Sequence, residues 1–220
     1  MLISIDVGDT LGTFDRPGAP DLLEELSPLS RSAIAEFDRQ YLHATPKLTE
    51  EIISKACRML MIRREDWDLL GSPGGFTAFP HTIGALAKLA AIGPAVTLSN
   101  ASIIAGPNRM RDLRKQCGRH LGSNYTSFQM AMRKPDAQCW GRIASDHFID
   151  VGNIVHIGDR LTEDVRGPLF AGCRGVIFTN TRNEQVPDDL LEDPRVAIVN
   201  DLRGAPPIVR AWSEQLGDSR

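Results

Sequence analysis

The chain opens on Leu2-Ile3-Ser4-Ile5-Asp6-Val7-Gly8-Asp9-Thr10-Leu11, an almost unbroken apolar run that ends in an acid and then in turn residues. A short β-branched, apolar run bounded by turn residues reads as a buried strand. The same signature recurs at 94–98, ending in Ser99-Asn100, and at 154–157, ending in Gly158-Asp159. It appears again at 176–178 and 196–199, and 125–130 reads as a further short strand. Helical patterns fall between them: an Ala/Leu-rich stretch at 81–91 and a helix from 136 to about 145. This alternation predicts an α/β, Rossmann-like fold with a mostly parallel sheet and flanking helices.

Between 12 and 79 the pattern changes. Strand signals give way to helical spacing, with Ile34, Phe37, Tyr41 and Leu42 roughly on one face of a helix over 31–43. Thr49 is placed to cap a second helix in which Ile52, Ile53, Ala56, Met59 and Leu60 recur at helical spacing. Gly71-Ser72-Pro73-Gly74-Gly75 reads as a connector. The expected organisation is therefore an α/β core domain from 1–11 and 80–220, with 12–79 as a helical insertion after the first strand. The tail at 217–220 is expected to fray.

Composition narrows the class. The chain has 220 residues, 42% hydrophobic and 24% charged, which is the balance of a globular protein. No run reaches the ~18 apolar residues of a membrane span, and the start lacks the basic segment of a secretory signal, so a cytoplasmic protein is expected. The four cysteines, Cys57, Cys117, Cys139 and Cys173, are widely spaced and suit neither a disulfide framework nor zinc. They read as small buried hydrophobes. A net charge of −3 gives no reason to expect a nucleic-acid or membrane partner. The basic stretch at 106–121, with Arg109, Arg111, Arg114 and Lys115, reads as a solvated helix face, and His156 as a satisfied core histidine. The pattern is compatible with a monomer or a homodimer.

The chemistry lies at the predicted strand ends. Asp6 offers a carboxylate, Ser99 a hydroxyl and Asn100 an amide. Lys134, within Arg133-Lys134-Pro135-Asp136, offers a fixed cation, and Asp159 and Asp164 offer two more acids. Parallel neighbours would bring these groups to one edge of the sheet. Three carboxylates gathered there repel one another. A hard divalent cation such as Mg²⁺ relieves that repulsion and can also bind a substrate phosphate, for which lysine is a natural point-charge partner.

This ordered set resembles the haloacid dehalogenase-like hydrolase superfamily over nearly the whole chain. The stretch Gly158-Asp159-Arg160-Leu161-Thr162-Glu163-Asp164 and the triplet Lys134-Pro135-Asp136 are its most specific parts. The resemblance implies that Asp6 attacks phosphorus to form an aspartyl-phosphate, and that Mg²⁺ is held by Asp6, the Gly8 carbonyl and Asp159. It further implies that Ser99, Asn100 and Lys134 bind the phosphoryl oxygens and that Asp164 orients Lys134 or a metal-bound water. Thr10 falls where the family expects threonine, and 12–79 falls where it inserts a cap. One position departs: Gly8 stands where family phosphatases carry a second aspartate, the general acid and base. Such help is worth about 10²–10⁴-fold. The expected function is a Mg²⁺-dependent phosphatase of a small phosphorylated metabolite, with activity reduced by Gly8. Two alternatives stand beside it, a catalytically inactive protein binding a phosphorylated ligand or partner, and a haloacid dehalogenase. Retained Asp159 and Asp164 weigh against the dehalogenase, whose relatives need no metal.

Overall fold

The computed structural model describes residues 1–15, 17–70 and 74–217. Residues 71–73 of the expected connector and 218–220 of the expected frayed tail lie outside the described residues. Among the described residues eight strands form in chain order: β1 (Leu2–Ile5), the two-residue β2 (Gly12–Thr13) and β3 (Thr77–Ala78), then β4 (Ala95–Ser99), β5 (Asn124–Thr126), β6 (Ile154–Gly158), β7 (Gly175–Thr179) and β8 (Val196–Val199). Six of them make one parallel sheet in the order β5-β4-β1-β6-β7-β8. The α/β, Rossmann-like expectation holds. A sheet covered on both faces demands apolar residues at every position, which is why β1, β4, β6 and β7 read as continuous runs and are buried throughout.

The segment between β2 and β3 is helical: α1 (Ala19–Glu24), α2 (Arg31–Gln40), α3 (Glu50–Leu60) and α4 (Arg64–Leu69). Leu23, Ile34, Leu42, Leu60, Ile62 and Trp67 form its own buried cluster, against which Ile103 and Ile104 pack from beyond β4. Thr49 accepts a hydrogen bond from the Ile52 amide, as expected of a cap. Met59 departs from the expected apolar face; it is 49% exposed, and Cys57 takes the buried place. The region 12–79 is also not free of strands. β2 and β3 pair antiparallel, Gly12 with Ala78 and Thr13 with Thr77, where the chain leaves and rejoins the sheet. Two residues are too few to show an alternating pattern.

The flanking helices follow: α5 (Thr82–Ala90), α6 (Gly106–Cys117), the single turn α7 (Ser127–Met130), α8 (Gln138–Asp146), α9 (Gly167–Ala171), α10 (Asp188–Leu191) and α11 (Ala205–Gly217). Leu86 and Leu89 of α5, Leu113 of α6 and Val209 of α11 cluster with Ile3, Ile5, Val155 and Ile177 of the sheet. Trp140 and Ile143 of α8 cluster with Leu2, Val96, Leu98 and Ile154. The predicted strand at 125–130 ends at Thr126, because the Ser127 hydroxyl bonds both the amide and the carbonyl of Ala101 and turns the chain into α7. All four cysteines are free and buried. Arg109 leaves the solvated face expected of α6 and lays its guanidinium over the Phe14 ring, 3.9 Å from the centroid. Among the described residues no helix is long and apolar enough to cross a membrane.

Candidate active site

Register decides what meets at the sheet edge. Ile5 lies opposite Thr97 on one side and Ile157 on the other, so the ends of β1, β4 and β6 line up. The Asp6 amide still donates to the Ile157 carbonyl at 2.8 Å, which carries the ladder one residue past β1. Asp6, Ser99, Asn100, Lys134, Asp159 and Asp164 all line one cleft of about 410 Å³, together with Gly8 and Asp9. The helical segment contributes Arg39 and His43 to its wall. His81, the other histidine flanking that segment, lies against the Phe79 ring outside the cleft.

Lys134 organises the floor. Only 2% of it is exposed, and its Nζ donates to Asp6 Oδ1 at 2.6 Å and to Asp164 Oδ1 at 2.5 Å. Its backbone is clamped by Asn100, whose Oδ1 accepts from the Lys134 amide and whose Nδ2 donates to the Lys134 carbonyl. The Asn100 side chain thus fixes the main chain of Lys134 at the cleft it lines. Asp164 sits on a π-helical turn spanning Leu161–Arg166, a rare element that recurs at functional sites. A Cβ on Gly158 would stand 2.4 Å from Asp164 Cγ, so this glycine is what lets Asp164 close on the strand end.

Behind Asp164 lies His156, fully buried in the middle of β6. Its Nε2 is 3.1 Å from Asp164 Oδ1 and its Nδ1 is 3.1 Å from Ser4 Oγ. Burial lowers its pKa, so the neutral ring donates from Nε2 and accepts the Ser4 hydroxyl at Nδ1. The satisfied core histidine is also the back wall of the site.

Asp159, 2% exposed, accepts the Thr10 hydroxyl at Oδ1 (3.3 Å). Arg182 Nη2 stands 3.2 Å from its Oδ2 and is also paired with Asp9. The Arg182 contact is not aligned as a hydrogen bond, and Asp159 Oδ2 is left buried without one. Asp6, Asp159 and Asp164 each present an oxygen within 4.8 Å of the others. Burial, with repulsion from Asp164 and Asp159 and against the pull of Lys134, pushes Asp6 up to about 7. Burial and the Asp164 charge push Asp159 up to about 6. Burial acts on Asp164 too, but the Lys134 ammonium and the His156 N–H outweigh it and hold the carboxylate well below the ordinary range.

Gly8 lines the cleft beside Asp6, and the space its side chain would occupy is filled. A Cβ there would meet Phe14 Cε2 at 2.7 Å. Phe14 is held from above by Arg109 and at its edge by Phe76, with ring centroids 6.4 Å apart. Phe14 and Arg182 carried no signal in the sequence, since neither belongs to a motif.

Residues 131–205 match the HAD-hydrolase-like family model. A 2-haloacid dehalogenase from Pseudomonas syringae pv. Tomato superposes with a TM-score of 0.62 at 18% identity, covering 96% of this chain and 98% of that one. A HAD phosphatase from Thermococcus onnurineus gives 0.58 at 15% identity over 94% and 97%. The chain has the haloacid dehalogenase-like fold and, over residues 131–205, that superfamily's sequence signature. A HAD-family enzyme from Bacteroides thetaiotaomicron, an aspartate-to-alanine mutant in complex with magnesium and inorganic phosphate, gives 0.59 at 15% identity over 83% and 95%. No curated protein matches the chain in sequence. This hydrolase fold is shared by dehalogenases and phosphatases alike, so the choice between them rests on the site.

Proposed function

We propose that the chain is a Mg²⁺-dependent phosphatase acting on a small phosphorylated metabolite through Asp6. The observation that carries this reading is the buried lysine joining Asp6 to Asp164, set beside an Asp159 oxygen that no hydrogen bond satisfies. A phosphoryl group needs positioning and charge neutralisation more than covalent help, and a buried ammonium beside a carboxylate supplies both.

The residues fit a hard divalent ion. Three clustered carboxylates, two of them with a pKa raised by burial and mutual repulsion, form an all-oxygen donor set. Asp6, Asp159 and the Gly8 carbonyl would hold Mg²⁺, which when bound supplies positive charge against the phosphoryl oxygens. The chain's own residues do the rest. Asp6 provides the attacking carboxylate, splitting one hard step into two easier ones. Lys134 faces the developing negative charge, Asp164 and His156 fix its ammonium, and the Ser99 hydroxyl is available as a donor at the end of β4. Arg39 and His43 on the cleft wall support reading 12–79 as a cap over a core built from 1–11 and 80–220. The protein is proposed to work in the cytoplasm, as a monomer or homodimer, and its net charge of −3 supports a role without nucleic acid.

The dehalogenase reading draws on the equal similarity of solved dehalogenases and on the missing acid at Gly8. Metal dependence separates the two. Wild type and Asp6→Asn are assayed with p-nitrophenyl phosphate, with and without MgCl₂. Metal-dependent turnover abolished in Asp6→Asn is the expected result. Metal-independent release of halide from a 2-haloacid would replace phosphatase by dehalogenase, and inertness toward both substrates would leave a ligand-binding protein.

A further inference from the structure

The charges lining the cleft are unevenly matched. On its floor Lys134 is shared by Asp6 and Asp164, and beside them Arg182 is shared by Asp9 and Asp159. The turn that carries Asp164 brings one acid, Glu163, with one cation, Arg160, just before it. Two further cations also line the cleft: Arg133, from the segment that leads into Lys134, and Arg39, from α2 of the helical segment. Both act on one carboxylate, Glu36. Its Oε2 accepts from Arg39 Nε at 3.1 Å, and this bond, with the Arg133 charge adding to it, holds Glu36 below its ordinary range. Glu36 lines not the cleft but a second cavity of about 430 Å³, which has Arg39 and Arg133 in common with it.

Arg133 is the less satisfied of the two. It is half-buried, its Nε is buried without a hydrogen bond, and among the described residues no carboxylate pairs with it. Native folds leave few buried donors unmade, and each one calls for a reason. The main chain that carries this guanidinium is fixed. The Asp136 amide donates to the Arg133 carbonyl at 3.0 Å, and the Lys134 amide beside it donates to Asn100 Oδ1 at 2.9 Å. A guanidinium held in place loses little freedom on binding, and its fork matches two oxygens of a carboxylate or a phosphate.

We infer that the substrate carries a second anionic group, a carboxylate or a further phosphate, held by Arg133 of the core and Arg39 of the helical segment. The inference rests on the phosphatase reading above and names its substrate class, a small phosphate ester with a charged tail. The phosphoryl group lies on Lys134 and Asp6, and the tail reaches toward the boundary that the two arginines share with the second cavity. A neutral tail would leave both guanidinium groups without an anion from the ligand. No bond is made or broken at this subsite, so its effect falls on Kd and KM.

The test compares tails. Alkyl phosphonates of graded length, which resist hydrolysis, are titrated into wild type with MgCl₂ by calorimetry, each ending in a methyl, a carboxylate or a second phosphonate. The matching phosphate esters are assayed for kcat and KM. The best charged tail should bind about 10- to 100-fold more tightly than the methyl tail of the same length, and its end group identifies the anion. Arg133→Gln and Arg39→Gln should each draw that ratio toward unity by raising Kd and KM for the charged compounds, while Arg160→Gln should leave the ratio standing. An equal loss of the ratio in Arg160→Gln would trace it to the overall charge of the cleft and overturn the placement. Hydrolysis of the esters with no preference for a charged tail at any length would overturn the inference and leave the phosphatase reading intact. Hydrolysis of none, with charged phosphonates still preferred by wild type and not by Arg133→Gln, would overturn that reading and keep the subsite in a ligand-binding protein. Neither turnover nor preference would overturn both. The wild-type comparison decides the substrate class even if a variant fails to fold.

Discussion

Removing the buried ammonium is the sharpest perturbation of this architecture. In Lys134→Met the side chain keeps its length and loses its charge, so Asp6 Oδ1 and Asp164 Oδ1 lose partners now at 2.6 and 2.5 Å. Both carboxylates are buried, and stranding one partner of a buried pair costs about 3–5 kcal/mol. In a chain of this size each kcal/mol moves Tm by about 2–4 °C, so the metal-free variant should melt about 6–20 °C lower near neutral pH. The loss should depend on pH with a definite sign. Asp164, depressed in wild type by Lys134 and His156, contributes stability above the unfolded carboxylate pKa and loses it as pH falls. In the variant both acids lose their cation: the folded pKa of Asp164 rises above the unfolded value, that of Asp6, already above it, rises further, and the variant weakens as pH rises. The two effects act together, so the gap should be widest near neutrality and close on acidification. Thermal unfolding followed by circular dichroism at about pH 5 and about pH 8 reads it. A variant within about 1 kcal/mol of wild type at the higher pH would refute the description of Lys134 as the cation holding these acids.

Three further outcomes follow from the same geometry. Asp6 and Asp159, raised to about 7 and about 6, weaken the metal-free protein as pH climbs through that range, and both must shed protons to take a cation. Added Mg²⁺ should therefore raise Tm more at about pH 8 than at about pH 5, and an equal or larger rise in acid would contradict the metal assignment. Arg182, 3.2 Å from Asp159 Oδ2, competes with a cation for that oxygen. Arg182→Gln should tighten Mg²⁺ binding by about tenfold in calorimetry, whereas unchanged or weaker binding would show that Arg182 does not compete. Phe148 is 96% exposed and adopts φ 54 at the end of α8, where its amide bonds Ser145 O and the Ile149 amide bonds Ala144 O. That turn favours glycine, so Phe148→Gly should stabilise the fold by about 1 kcal/mol in urea titration, and destabilisation would mean the ring is needed for packing.

The parts of this structure legible in the sequence are those whose physics is local or periodic. Buried parallel strands produce continuous apolar runs, and the polar residues that end them, Asp6, Ser99, Asn100 and Asp159, are conspicuous against that background. Their convergence with Lys134 follows once the strands are taken as neighbours. The two-residue pairing of Gly12 and Thr13 with Ala78 and Thr77 is too short for any pattern, and 125–130 looked strand-like because Ser127 redirects the chain through a contact with Ala101, distant in sequence. α11 is hidden in the sequence by Pro206 and Pro207 in its first turn. The site's second layer is invisible for the same reason. Phe14 reaches Gly8 only after the chain has turned back, Arg182 meets Asp9 and Asp159 from a loop beyond β7, and His156 looks like any polar interruption of a strand until Asp164 is folded over it.

The most direct test of the central claim is to trap the covalent intermediate. Wild type is mixed with acetyl phosphate and MgCl₂, quenched in acid within the first turnovers and digested, and the peptide containing Asp6 is examined by mass spectrometry. The account predicts one added phosphoryl group on Asp6, absent in Asp6→Asn. Turnover without that adduct, or an adduct that persists in Asp6→Asn, would contradict it.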